Sequence, residues 1–264
     1  MHQVERVRVL ETATLQRHWL LHDVLPSILE NLQLRLNQCL GMLSQQQQAK
    51  TDALPLSSGQ NESIKGLLTL NGPYITKAEL QVRLPNYHQD TPVKIKITAP
   101  IFLEQAQQGA NYIALAAERM QQTTDASAKL QTPALKEAAV ELFEDVCQYV
   151  QRALSAFEYP GEASLFPCKV CHPKYFEPPL SEDLVIEFCI HEIHVVCNIY
   201  ALEFKPGKPT DVHQVVLYKD KHAQVMDQSH TRTQSPMLTD LKMLLQSVRE
   251  VCQSYRQMLL EIDA

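Results

Sequence analysis

The stretch LTDLKMLLQSVREVCQSYRQMLLEI, residues 238–262, places Leu238, Leu241, Leu245, Val248, Cys252, Tyr255, Leu259 and Ile262 at spacings of three, four, three, four, three, four and three. That is the a/d seam of an amphipathic helix, and so regular a seam calls for a helical partner. Partners lie upstream. Leu25, Leu29, Leu32, Leu36, Cys39 and Leu43 form a second seam. The residues from Val9 to Val24 read as helical too, with Pro26 marking a kink or a first-turn position. A third helix is expected over 101–124, with Leu103, Ala106, Ala110, Ile113, Ala117 and Met120 on one stripe. A fourth follows between Ala134 and Phe157, where Leu135, Ala139, Leu142, Val146, Tyr149, Ala153 and Phe157 align and Pro133 suits the first turn.

Between the helical stretches the period drops to two. Residues 64–70, 79–84 and 93–97 read as strands, the last two alternating polar and apolar as half-buried strands do, with Asn71-Gly72-Pro73 supplying turn chemistry. Residues 184–190 and 193–204 read as a hairpin and 212–218 as a further strand. The polar stretches 45–48, 56–63 and 227–235 read as loops. The resulting order is helix, three strands, two helices, three strands, helix, an α+β pattern. Its economical solution is an elongated two-domain protein, an antiparallel helical bundle beside an antiparallel β-sheet domain, both built from discontinuous segments. The bundle takes 1–55, 101–160 and 236–264; the six strands form one sheet within 56–100 and 161–235.

Composition narrows the function. Among 264 residues only 7 are glycine, which leaves little material for phosphate-cradling loops. With 24 basic against 30 acidic residues the formal charge is −6, so nucleic-acid binding driven by phosphates is disfavoured. No run of 18 apolar residues is present, and no basic, apolar-cored leader opens the chain. The seven cysteines are therefore expected as reduced, cytosolic thiols.

Cys168-Lys169-Val170-Cys171-His172 has the CxxCH spacing of covalent haem attachment, but that chemistry needs export machinery. A zinc reading joins Cys168, Cys171 and His172 to Cys189, His191, His194 or Cys197. If the hairpin puts Cys189, His191 and Cys197 on one face and His194 on the other, the ligands do not converge, and buried core cysteines explain them more simply. His191-Glu192-Ile193-His194 spaces its histidines by three, at a hairpin turn, where a metalloprotease helix needs four. Trp19, His22 and Asp23 read as a packed indole beside a polar helix surface. No catalytic residue and no cofactor is assigned.

Several stretches together resemble one family. Trp19-Leu20-Leu21-His22-Asp23 before the leucine-periodic helix, Ile64 to Gly72, Glu79-Leu80-Gln81-Val82-Arg83-Leu84-Pro85, Pro178-Pro179-Leu180-Ser181-Glu182-Asp183-Leu184-Val185-Ile186 and Ile199-Tyr200-Ala201-Leu202 are similar, in colinear order, to the protein rogdi family, also called RAVE subunit 2. The resemblance implies a non-enzymatic subunit of a RAVE-type complex. Such a subunit binds a large WD-repeat scaffold of the rabconnectin type and promotes assembly of the peripheral sector of the vacuolar-type proton-pumping ATPase. It also implies a two-domain fold with a helical bundle and a β-domain, and a cytoplasmic protein recruited peripherally to vacuolar, endosomal or vesicle membranes. Outside the complex a monomer is expected, with its seams closed internally. The cluster from Cys168 to His172 is not part of the resemblance, and 206–235 carries little of it. Two other readings stand beside this one: a zinc protein using the Cys168/Cys171 cluster, and a self-associating coiled-coil scaffold.

Overall fold

A computed structural model describes residues 2–44, 53–59, 63–87, 91–127, 132–204 and 215–262. The fold is mixed α+β, with long helices and two antiparallel sheets. Helix α1, His2–Trp19, runs through a π-helical turn, Leu20–Val24, into α2, Leu25–Leu43. The turn has a local cause. Pro26 has no N–H and crowds the carbonyl four residues back. The helix widens just before it, and the Leu25 N–H reaches five residues back to the Leu20 carbonyl. The helix thus passes Pro26 without ending.

All six positions of the Leu25-to-Leu43 seam are buried, Leu32, Leu36 and Cys39 completely. Helix α3, Glu104–Ser127, buries Ala106, Ile113, Ala116, Ala117 and Met120; helix α4, Thr132–Ala156, buries Leu135, Ala139, Leu142, Phe143, Val146, Val150 and Ala153. Helix α5, Pro236–Glu261, buries six of the eight seam positions and leaves Tyr255 part-exposed, while Ile262, also part-exposed, falls just past its end. Polar bonds tie the helices at the margins. Arg119 of α3 pairs with Asp145 of α4 at 2.7 Å, and Arg35 of α2 donates to Ser247 of α5.

The first sheet contains β1 (Ala53–Ser57), β2 (Ile64–Asn71), β3 (Tyr74–Val82), β4 (Val93–Ile97), β5 (Ile101–Phe102) and β6 (Phe176–Glu177). Its order is β1-β2-β3-β4-β6, and β5 pairs with β3. The second holds β7 (Leu184–His191), β8 (His194–Phe204), β9 (Val215–Tyr218) and β10 (Lys221–Gln234) in the order β7-β8-β10-β9. Gly72, at φ 54°, makes the β2–β3 turn, and an added Cβ there would stand 2.8 Å from the Leu43 carbonyl oxygen. Tertiary contacts divide the chain into two compact units, Met1–Met42 with Gln108–Ser155 and Asp240–Ala264, and Leu43–Gln107 with Ala156–Thr239.

Four expectations need correction. The strands form two sheets, not one. Residues 56–63 are not wholly loop, because β1 covers Ala53–Ser57 across the 55/56 limit set above and buries Leu54 and Leu56. Pro55, without an N–H, is tolerated because β1 is an edge strand. Residues 227–235 are not a loop, because β10 continues to Gln234 opposite β8 and buries Thr231 and Thr233. Finally, α3 starts at Glu104, since Ile101 and Phe102 pair with Ile75 and Tyr74. The loop expected at 45–48 and residues 212–214 of the expected strand lie outside the described residues.

Candidate functional site

The cysteine-histidine region is built on β7 and β8. A two-residue turn, Glu192-Ile193, joins them, with Glu192 at φ 57° and its N–H donating to the Phe157 carbonyl at 2.6 Å. Because the turn has two residues, His191 pairs with His194, Cys189 with Val196 and Phe188 with Cys197. Paired residues in an antiparallel ladder share a face, so odd-numbered positions of β7 match even-numbered positions of β8. This corrects the face assignment made from sequence: His194 shares the face of His191 and Cys189, and Cys197 lies on the opposite one.

The CxxCH segment lies against β7. Phe166 anchors it, stacking on Tyr200 with ring centroids 4.3 Å apart and meeting Tyr218 at a tilt with centroids 5.8 Å apart, and the Cys171 N–H donates to the Ile186 carbonyl at 3.0 Å. Cys168 is exposed. The His172 Nδ1 accepts from the Lys174 N–H at 3.2 Å, capping a short 3-10 turn, and the His191 ring meets Tyr159 edge-on at 5.4 Å. Burial pushes the Cys171 and Cys189 thiols up to about 12, and Cys197 well above the ordinary range, with the Glu187 charge raising all three further. Kept neutral by burial, these thiols pack as small apolar groups. Among the described residues no three His, Cys, Asp or Glu side chains are grouped to hold a metal ion.

One buried charge lies beneath. Glu187 is 3% exposed; its Oε1 accepts from Asn198 Nδ2 at 2.6 Å and its Oε2 accepts from the Phe166 backbone N–H. The carboxylate thereby fixes the segment carrying Cys168 and Cys171 to the second sheet.

Two surface features were not read from sequence. The first is the solvent face of the first sheet, where β2, β3, β4 and β6 build two cross-strand rows, Lys65–Gln81–Lys94 and Leu67–Glu79–Lys96–Glu177. These rows floor a groove of about 490 Å³. Lys96 bonds Glu177 at 2.8 Å, and that carboxylate raises its ammonium pKa. The alternation Val93-Lys94-Ile95-Lys96-Ile97 carried the signal, but pairing sets the rows. The second is the π-turn region, where Trp19 is 59% and Leu15 71% exposed. The expected packed indole is thus corrected: the wider turn after Trp19 buries Leu20 and Leu21 and leaves the indole outside. No helix among the described residues is long and apolar enough to cross a membrane.

The family model described as "Rogdi leucine zipper containing protein" matches residues 16–259. "Protein rogdi homolog" of Danio rerio is 22% identical, with 90% of this chain and 89% of the relative covered. Those of Homo sapiens and Mus musculus are 22% and 23% identical, each over 90% of this chain and 88% of the relative. The match runs from the exposed Trp19 through both sheets to the last seam helix, and the chain belongs to the Rogdi leucine zipper family.

Proposed function

We propose that this protein is a non-enzymatic subunit of a RAVE-type complex. It binds a large WD-repeat scaffold of the rabconnectin type and promotes assembly of the peripheral sector of the vacuolar-type proton pump onto its membrane sector, and so supports organelle acidification. The observation that carries the reading is the colinear family match from residue 16 to 259, which spans both compact units. The protein works by binding, as a monomer outside the complex, in the cytoplasm and recruited by its partners to vacuolar, endosomal or vesicle membranes. The same proposal has the helical segments, 1–55, 101–160 and 236–264, packed as a bundle, and 56–100 with 161–235 as the β-domain. The leucine seams then serve internal packing, since their leucines are buried within the chain itself.

Affinity purification of the tagged chain under native conditions, with and without chelator, tests this. Expected is stoichiometric recovery of a WD-repeat scaffold together with proton-pump subunits, unchanged by chelator and unchanged in the Cys168→Ala, Cys171→Ala double variant. Recovery of the chain alone, with bound zinc in elemental analysis, would overturn it.

A further inference from the structure

Helices α4 and α5 face each other across three side-chain rungs. Glu144 Oε2 accepts from Arg256 Nη2 at 3.2 Å, and Gln151 Oε1 accepts from Arg249 Nη1 at 2.7 Å. Between these polar rungs sit Cys147 of α4 and Cys252 of α5, hydrogen-bonded thiol to thiol. The Cys147 Sγ also lies 3.8 Å from the Arg249 carbonyl oxygen, one turn before Cys252 on α5. Cys252 is fully buried, and Cys147 is part-exposed. The Nε–H groups of both Arg249 and Arg256 are buried and have no acceptor among the described residues, which leaves two donors on α5 flanking the pair.

We propose that Cys147 and Cys252 form an oxidative modification site, in which the part-exposed Cys147 attacks peroxide and Cys252 resolves the product as a disulfide linking α4 to α5. The arrangement divides the roles. Among the described cysteines Cys147 alone has its thiol pKa lowered, first by the hydrogen bond from Cys252 and then by Arg256 and Arg249, against burial and Glu144. The hydrogen bond to Cys147, and burial after it, push the Cys252 thiol far up, so it remains S–H. Nucleophilic attack therefore belongs to Cys147. Its thiolate displaces hydroxide from hydrogen peroxide and becomes a sulfenic acid. The Cys252 sulfur then attacks that sulfur; its proton and the departing hydroxide leave as water. Overall two thiols and one peroxide give one disulfide and two waters, with two electrons passing from sulfur to peroxide. Cys39, Cys171, Cys189 and Cys197 are held as thiols by burial and do not compete.

The test treats the purified full-length chain with stoichiometric hydrogen peroxide, alkylates it in denaturant and maps tryptic peptides without reduction. Expected is a reducible cross-link between the peptides holding Cys147 and Cys252, with free thiols falling from seven to five per chain. In Cys252→Ser the cross-link is lost and a dimedone adduct collects on Cys147; in Cys147→Ser neither cross-link nor adduct on Cys252 forms. The proposal is overturned if both thiols of the wild-type chain are recovered fully alkylated, or if Cys147 is oxidised but pairs with a thiol other than Cys252. The wild-type result decides the matter even where a variant fails to fold.

Discussion

Replacing Glu187 by alanine removes the acceptor for two donors at once. The Asn198 Nδ2 donor sits 2.6 Å from Oε1, and the Phe166 N–H points at Oε2 in a pocket where Glu187 is 3% exposed. Each donor left unsatisfied costs about 1–3 kcal/mol. With the void left by the side chain added, the expected loss in unfolding free energy is about 3–5 kcal/mol. Glu187→Gln separates polar loss from packing loss. Its amide oxygen can accept from the Phe166 N–H, which cannot turn away, and its NH2 meets Asn198, whose own amide can rotate to present oxygen. The glutamine variant should therefore lose only about 1–2 kcal/mol. Urea unfolding followed by circular dichroism measures both, and the Glu187→Ala, Asn198→Ala cycle should return a coupling of about 1 kcal/mol or more. A loss below about 1 kcal/mol in the alanine variant, or equal losses in both, would refute the claim that this carboxylate anchors the segment from Phe166 onward.

Gly66→Ala places a Cβ 2.1 Å from the Glu79 carbonyl oxygen, so β2 and β3 must part. A loss of about 2–4 kcal/mol in urea unfolding is expected. Lys219 and Asp220 both hold positive φ, 49° and 62°, in the two-residue β9–β10 turn; replacing them by Asn-Gly should stabilise by about 1–2 kcal/mol in the same assay. Burial raises the Cys39 and Cys189 thiols from 9.0 to about 12. The unfolded chain gives up these protons first, so the stability from the neutral thiols is complete below pH 9 and is lost as pH climbs toward 12. Each contributes a slope of about 1.4 kcal/mol per pH unit there, and melting curves of Cys39→Ala between pH 8 and 11 should show a shallower fall than wild type. Trp19→Ala, at a 59% exposed position, should change stability by no more than about 0.5 kcal/mol; a larger loss would mean the indole belongs to the core.

The helices were legible because their signal is local and repeated. Leu25 to Leu43 and Leu238 to Leu259 each place apolar residues on one stripe, and burial falls on all of them but Tyr255. Strands were legible where alternation was clean, as at 93–97. They were missed where a local rule was outweighed: Pro55 argues against a strand until an edge position makes its absent N–H harmless. Residues 227–234 look like a loop until β8 pairs alongside them residue by residue and Thr231 and Thr233 find cover. The cysteine-histidine cluster shows a different limit. Spacing along the chain brought candidate ligands together, whereas hairpin register put Cys197 on the opposite face from Cys189 and burial held the thiols protonated.

By itself the sequence determined where the long helices run to within a few residues, most of the residues those helices bury, and the family, since periodicity and residue order are properties of the chain. Tertiary structure alone decided that the strands divide into two sheets, that Lys65, Lys94, Lys96, Glu79 and Glu177 share one groove, that Glu187 ties the segment at Phe166 to β8, and that Cys147 meets Cys252. These are pairings between residues far apart in sequence. Their partners are chosen by register and packing, which no local pattern records.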